Sequence, residues 1–430
     1  ESLNVKSIKR YIEQKHPVKS RSNTQLIPII QKGDTVAFLA NYSEGWELFS
    51  NNTSLPMVLM KSNTGNFYPN VGVLSDESNS SFLEFYNGLV NGLFSCSEEG
   101  DPNPAWTLYN EDRDPGVDPA PRFVGIAETV VKQTYTPKGG RLKTQWNQRG
   151  NYNLYTPFYL DITNMHSALG CNAVAAGQMI YHSNKYFGVP TTTVSKAYYD
   201  KYYNEYYFYE SSSTAWDSID SGENESFCED PIKMQTTAAF LGNIAVKIYT
   251  AFGTEYNNEA LRGSGADPDN VISYLNQILK TKFTKVKINW YDIVQTLKVG
   301  YPVFTASYNT VLPPKKQYGH TYLIDKAEYI MTTLYNVYDL RSSDNNPNIE
   351  DTEDQEEQDE CPEYETHSLD FYRTKYGAIE YYYNSELAER WLMMNWGGTK
   401  SLNSVKINAD EKIIKISTFE FDDNLIYKIN

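Results

Sequence analysis

Apolar residues recur at helical spacing at the start of the chain: Val5, Ile8 and Ile12, with Lys and Glu between them. This predicts a helix over 2–16. Short alternating runs follow at 25–31, 35–40, 46–49 and 56–60. They are separated by turn-forming clusters such as Lys32-Gly33-Asp34 and Asn63-Thr64-Gly65-Asn66, so a small antiparallel sheet is expected. Over 80–94 the helical period returns, with Phe82, Phe85, Leu89 and Leu93 on one face. Between 97 and 122 the period is lost. Pro, Gly and acidic residues dominate there, which predicts an exposed linker carrying Arg113 and Arg122. Exposed loops of this kind are preferred sites of proteolytic nicking.

A larger unit is expected over 123–430. Its first half has helical patterns at 173–182, 234–249 and 267–279, the last with Asp267 as N-cap and Pro268 at the first helical position. Its second half reads as strands at 284–289, 302–307, 320–325, 378–383, 391–396 and 413–417. Helices first and strands after predict an α+β architecture in two parts, 1–122 and 123–430.

Composition is globular, with 40% hydrophobic and 21% charged residues. Tyr is abundant, at 36 against 18 Phe, which suits a wet cleft or sheet surface, or simply a Tyr-rich exterior. The net charge of −16 argues against nucleic acid as a partner. Most of that charge is one block: 344–365 holds 11 acids and no Lys or Arg, which predicts a solvated, flexible insertion. It lacks the spacing of a calcium loop. The four Cys are far apart and form no CxxC pair, so neither a zinc ribbon nor a disulfide scaffold is expected. No run of about 18 apolar residues predicts a membrane-spanning helix. The chain opens on Glu1 with no signal peptide, so export would require a leader outside this sequence.

The candidate chemistry begins at Gly170-Cys171-Asn172-Ala173, where a Cys opens a helix of small residues. The start of a helix favours a thiolate, which suits a nucleophile. A buried structural Cys fits the same stretch. Only five His are available as a base. His182 lies about three turns along the helix from Cys171, out of reach. His16 and His367 sit in polar surroundings, and His166 competes from the loop before Cys171. His320 opens an apolar run after the turn Gln317-Tyr318-Gly319, at the mouth of a core strand, where an imidazole can reach across a cleft. Asn395 could orient that imidazole, with Trp396 shielding the bond from water. The Gln148 amide, upstream of the Cys, could join the Cys171 N–H in an oxyanion hole.

The order Trp146-Asn147-Gln148, then Gly-Cys-x-Ala-x-Ala-x-x-Gln from Gly170, then Gly319-His320 with Asp325, then Asn395-Trp396-Gly397, resembles the streptopain family of bacterial cysteine peptidases. The tract 130–153 resembles the start of that family's mature domain, and the sheet around Gly45-Trp46-Glu47-Leu48 its inhibitory prodomain. The resemblance implies a papain-like two-lobed catalytic domain at 123–430, preceded by a small α+β prodomain and cleavable linker at 1–122. It implies Cys171 as nucleophile, His320 as general base and Gln148 in the oxyanion hole, with Asn395 and Trp396 at the family's Asn-Trp pair. No metal or organic cofactor is implied. The implied partners are protein or peptide substrates and the chain's own prodomain as inhibitor, and the implied location is secreted or cell-surface. In the family the prodomain displaces the catalytic His until it is removed. This chain departs from the pattern in four ways. Asn395-Trp396-Gly397-Gly398 is two residues shorter than the usual Asn-Trp-Gly-Trp-Gly-Gly, so either Trp could be the one retained. The Ser-Asp-Gly that commonly follows is absent. Thr321 replaces a small residue, and Lys326 a usual Gly. The departures leave open a catalytically degenerate surface or peptide-binding relative, and acyl transfer to an amine is a third reading.

Overall fold

The computed structural model describes residues 3–16, 24–69, 80–96, 101–110, 122–158, 165–188, 195–200, 205–210, 216–222, 230–253, 256–257, 260–261, 264–279, 281–309, 318–340, 366–397, 402–413 and 423–429. The acidic run 344–365, Arg113, Cys228 and Cys361 lie outside them.

Eight helices are described: α1 Leu3–Lys15, α2 Ser80–Ser95, α3 Pro104–Asn110, α4 Cys171–Phe187, α5 Pro231–Lys247, α6 Pro268–Leu279, α7 Trp290–Val299 and α8 Leu369–Tyr376. The strands are β1 Leu26–Gln31, β2 Asp34–Asn41, β3 Trp46–Ser50, β4 Val58–Ser62, β5 Arg122–Tyr135, β6 Ser195–Asp200, β7 Glu205–Glu210, β8 Tyr256–Asn257, β9 Ala260–Leu261, β10 Phe283–Lys287, β11 Val303–Asn309, β12 Tyr318–Asp339, β13 Thr366–His367, β14 Ile379–Asn395, β15 Lys406–Asn408 and β16 Asp423–Ile429. The expected α+β class is observed. Asp267 caps α6 through its Oδ1, which accepts from Asp269 N at 2.9 Å.

One sheet runs through the molecule in the order β1-β2-β3-β4-β15-β14-β12-β11-β16-β10, with β5 added on β12 and β13 on β5. All pairs are antiparallel except β13 with β5. The N-terminal strands join the rest where β4 meets β15, with Lys61 opposite Lys406 and Met60 opposite Ile407. At the β2–β3 turn, Gly45 has φ +98°, and a Cβ there would sit 2.2 Å from Ser62 O, so only glycine fits.

Each face of the sheet carries a core. On one face α4, α5 and α6 enclose Trp146, Leu241, Ile244, Val271 and Leu275 with Phe304 and Leu323 of the sheet. On the other, Phe82, Phe85 and Leu89 of α2 and Ile293 and Leu297 of α7 pack with Tyr322, Ile324, Trp396 and Ile407. N-terminal and C-terminal residues therefore share this second core. A third cluster joins Ile8 and Ile12 of α1 to Phe49, Trp106 and Trp391.

Three expectations change. The stretch 97–122 is not linker throughout: α3 lies inside it. Asn103 Oδ1 caps α3 by accepting from Ala105 N at 3.1 Å, and Pro104 takes the first helical position. Trp106 is 1% exposed and donates from Nε1 to Leu55 O at 2.8 Å. The apolar repeat Ala105, Trp106, Leu108 and Tyr109 outweighs the flanking prolines. The runs at 378–383 and 391–396 form a single 17-residue strand, because the polar residues between them lie on an exposed ribbon paired along β12. Ile413 is helical in place of the expected strand at 413–417, whose remainder lies outside the described residues.

Candidate active site

The nucleophile candidate is built from backbone geometry upward. Gly170 precedes α4 at φ +89°, and a Cβ there would stand 3.0 Å from Ser264 O, so the tight entry into the helix requires glycine. The next residue, Cys171, is buried at 9% exposure, belongs to no disulfide and opens a 17-residue helix. Its Sγ donates to Asn172 Oδ1 at 3.5 Å.

Gln148 is brought beside it by a loop anchored in the core. Trp146 is fully buried and donates from Nε1 to Asp220 O at 2.6 Å. Gln148 O accepts from Leu169 N at 2.9 Å, two residues before the Cys. Gln148, Cys171, Thr321, Tyr322, Asn395 and Trp396 line one cavity too narrow to hold a water molecule. Asp325 supports the same loop from β12. Its carboxylate accepts from Arg141 Nε at 2.8 Å and Leu142 N at 3.1 Å. Burial raises the Asp325 carboxyl above its ordinary value, and the Arg141 guanidinium works against that rise.

The structure does not bring His320 into that cavity lining. Along β12 the pairing with β11 is regular, with Ile324 opposite Val303, Thr321 opposite Ala306 and His320 opposite Ser307. Side chains alternate along a strand, so His320 shares a face with Tyr322 and Ile324. That is the face covered by α2. The His320 and Tyr322 rings lie nearly parallel, with centroids 6.1 Å apart. Thr321 and Leu323 face α4 instead, and Thr321 Oγ1 accepts from Asn172 Nδ2 at 3.0 Å.

Asn395 and Trp396 also differ from expectation. Asn395 lies opposite Leu323 across β12–β14 and so faces α4. Its Oδ1 accepts from Gln178 Nε2 at 3.0 Å and Gly397 N at 3.1 Å, and its Nδ2 donates to Thr144 O at 2.7 Å. These bonds tie β14 to the helix and the Gln148 loop. Trp396 packs on the opposite side, with ring centroids 4.9 Å from Tyr322, 5.4 Å from Phe85 and 5.6 Å from Phe82. In this structure it shields the α2 contact. Gln178, Thr144 and Asn172 carry bonds that the sequence reading did not assign. The signal for Gln178 was its position seven residues after Cys171, two turns along the same face.

The competing histidines are occupied elsewhere. His166 Nδ1 lies 2.6 Å from Thr156 O, with its ring stacked on Phe158. His182 Nε2 lies 3.1 Å from Gly300 O. His16 contacts Glu47 at 3.0 Å, and His367 stacks on Phe371. Among the described residues no group of three or more His, Cys, Asp or Glu could hold a metal ion, and no helix is long and apolar enough to cross a membrane.

Burial pushes the His320 imidazole from 6.5 down to about 4. The unfolded chain therefore takes up this proton at higher pH than the folded one. His320 contributes stability that is present above pH 6.5 and is lost as pH falls through about 4. The loss is roughly 3 kcal/mol. Urea denaturation of the intact chain at pH 7 and pH 4 should show it, and His320→Gln should reduce the difference. An equal pH dependence in the variant would refute the assignment.

Residues 146–338 match the model of the Peptidase C10 family. The matched stretch includes Gln148, Cys171 and His320 and ends before Asn395. A comparison with curated proteins returns no match. Among solved structures, the chain is similar to a fragment of prointerpain A from Prevotella intermedia, at 15% identity and TM-score 0.48, over 94% of this chain and 98% of that one. It is also similar to the active interpain A cysteine protease of the same organism, at 19% identity and TM-score 0.34, over 45% of this chain and 77% of that one. Residues 146–338 therefore carry a likeness to the Peptidase C10 family, the streptopain family of cysteine peptidases.

Proposed function

We propose that the chain is a secreted cysteine endopeptidase in zymogen form, with Cys171 as nucleophile and His320 as general base. The observation that carries the reading is the cavity where the Cys171 helix start meets Gln148, inside the stretch matched to the family. The Cys171 thiolate would attack a peptide carbonyl, the oxyanion resting between the Gln148 amide and the Cys171 N–H. His320 would take the thiol proton and pass it to the leaving amine. Asn395 and Trp396 support the site through Gln178 and Tyr322.

The zymogen reading rests on His320 facing the side covered by α2, away from Thr321 and α4. In this reading residues 1–122 are the inhibitory unit, and their removal frees β12 to present the imidazole to the sulfur. Arg122 pairs with Asp339 within the sheet, which favours Arg113 as the cleavage point for an Arg-specific activity. N-terminal sequencing after limited trypsin treatment should find a new terminus at Asp114. A first cut inside α3 or β5 would count against the linker reading.

The whole proposal is tested by treating the linker-cleaved protein with an epoxide-type thiol-protease inactivator. Labelling of Cys171 together with peptide hydrolysis supports it. Neither result, from correctly folded protein, would leave the degenerate peptide-binding reading in its place.

A further inference from the structure

Asn172 follows the nucleophile candidate and is buried at 4% exposure. Its Oδ1 accepts from Ala266 N at 3.3 Å and from Cys171 Sγ at 3.5 Å. Its Nδ2 donates to Thr321 Oγ1 at 3.0 Å. The orientation of this amide is dictated, because a backbone N–H can only donate. The oxygen must face Ala266, which leaves the NH2 for Thr321 and makes the hydroxyl the acceptor. The Ala266 loop is itself fixed: Ala251 and Gly265 exchange two backbone hydrogen bonds, at 2.8 and 3.2 Å. Thr321 is buried at 4% exposure, so losing its partner would leave polar groups uncompensated in a dry site.

The bond crosses from α4 to β12, the elements that carry Cys171 and His320. It also selects a face, since Thr321 can bond Asn172 only while it points at α4, and alternation then turns its neighbour His320 away. We infer that Asn172 is a positioning residue, a latch whose bond to Thr321 holds the His320 face of β12 turned from Cys171 until the strand is released. The inference rests on Cys171 and His320 being the catalytic pair. It makes the resting arrangement a property of the catalytic unit as well as of the residues packed over it.

The test is the rate at which iodoacetamide alkylates Cys171 in the intact chain, read by mass spectrometry, with Cys171→Ala as the blank. Thr321→Val keeps the shape and removes the hydroxyl, whereas Thr321→Ser keeps the hydroxyl. Released β12 would let the imidazole approach the sulfur and speed alkylation. Thr321→Val should react about fivefold faster than the unaltered chain, the shift that one lost hydrogen bond supports. Thr321→Ser should stay within about twofold. Asn172→Ala should react at least as fast as Thr321→Val, because it also removes the acceptor of Cys171 Sγ and Ala266 N. Adding Thr321→Val to it should give no further gain, because the bond between the two residues is already lost. Equal rates for the Val and Ser variants would overturn the latch, as would acceleration by Asn172→Ala alone. If Thr321→Val fails to fold by near-ultraviolet circular dichroism, the decision passes to Asn172→Ala, whose rate must then rise. Hydrolysis after linker cleavage is scored separately. Its absence, with the alkylation pattern intact, counts against the protease reading. Its presence with uniform alkylation counts against the latch.

Discussion

Alanine at position 171 is expected to lower peptide hydrolysis by the linker-cleaved protein by at least about 10³-fold. The side chain removed is the strongest nucleophile lining the cavity: Gln148 is an amide, the Thr321 hydroxyl is engaged by Asn172, Asn395 is committed to Gln178 and Thr144, and Trp396 packs against Tyr322 and α2. The helix should tolerate the change, since Ala is the strongest helix former and replaces the first residue of a small-residue run. What remains would be substrate binding and the polarising donors near Gln148. Assay with a fluorogenic peptide library would show the loss, and circular dichroism would show an unchanged fold. Hydrolysis within about tenfold of the unaltered protein would mean that Cys171 is not the nucleophile. Incorporation of an amine in place of hydrolysis by the unaltered protein would point to acyl transfer through the same pair.

The second large effect concerns stability. Glu328 on β12 is fully buried and gathers three ammonium groups: Lys406 at 2.6 Å, Lys326 at 2.7 Å and Lys132 at 3.1 Å. These come from β15, β12 and β5, so one carboxylate ties together three strands. Burial by itself would raise its titration point, but the three lysines outweigh that and hold it down to about 2. Glu328→Gln would leave three cations converging on a neutral group, beside the β4–β15 seam where Lys61 already faces Lys406. Breaking a buried pair from one side costs about 3–5 kcal/mol, and the lower end applies here because Lys132 is half exposed. The carboxylate's contribution is complete above its unfolded value near 4.5 and disappears as pH falls towards 2, so the variant should also lose part of its acid-side slope. Urea denaturation at pH 7 measures the first effect and a series at falling pH the second, and a change at pH 7 below about 1 kcal/mol would show that the lysines find solvent instead.

The elements themselves were largely legible. The helices α1, α2, α4, α5 and α6 and the four N-terminal strands fall within a few residues of their expected places, since each is governed by a period that a short window contains. Gly170, Asp267 and Pro268 marked their helix starts through chemistry confined to neighbouring residues. The misses have a common cause. Helix α3 lay hidden among prolines, and its reason for existing is Trp106, whose partner Leu55 is 51 residues away. The local pattern predicts neither helix α7 nor strand β16, which is held by pairing with β10 and β11, and two expected strands are one because pairing along β12 supplies what the local pattern lacks.

Cys171, Gln148 and His320 could be picked out because their residue types and order carry the chemistry. Their facing could not. The run Tyr322-Leu323-Ile324 is apolar at every position, since this stretch of β12 is buried on both faces, and a strand of that kind has no alternation to say which side chain turns where. Thr321 therefore read as a departure in a motif, and only packing made it the acceptor for Asn172. Asn395 read as a partner for an imidazole, and its position opposite Leu323 gave it to Gln178 instead. The sequence by itself determined where the helices and strands lie and which side chains could do thiol chemistry, because those depend on residue type and spacing. The tertiary structure alone decided that His320 shares the face beneath α2 while Thr321 meets the helix that Cys171 opens, because strand facing is set by which of two apolar sides meets which core.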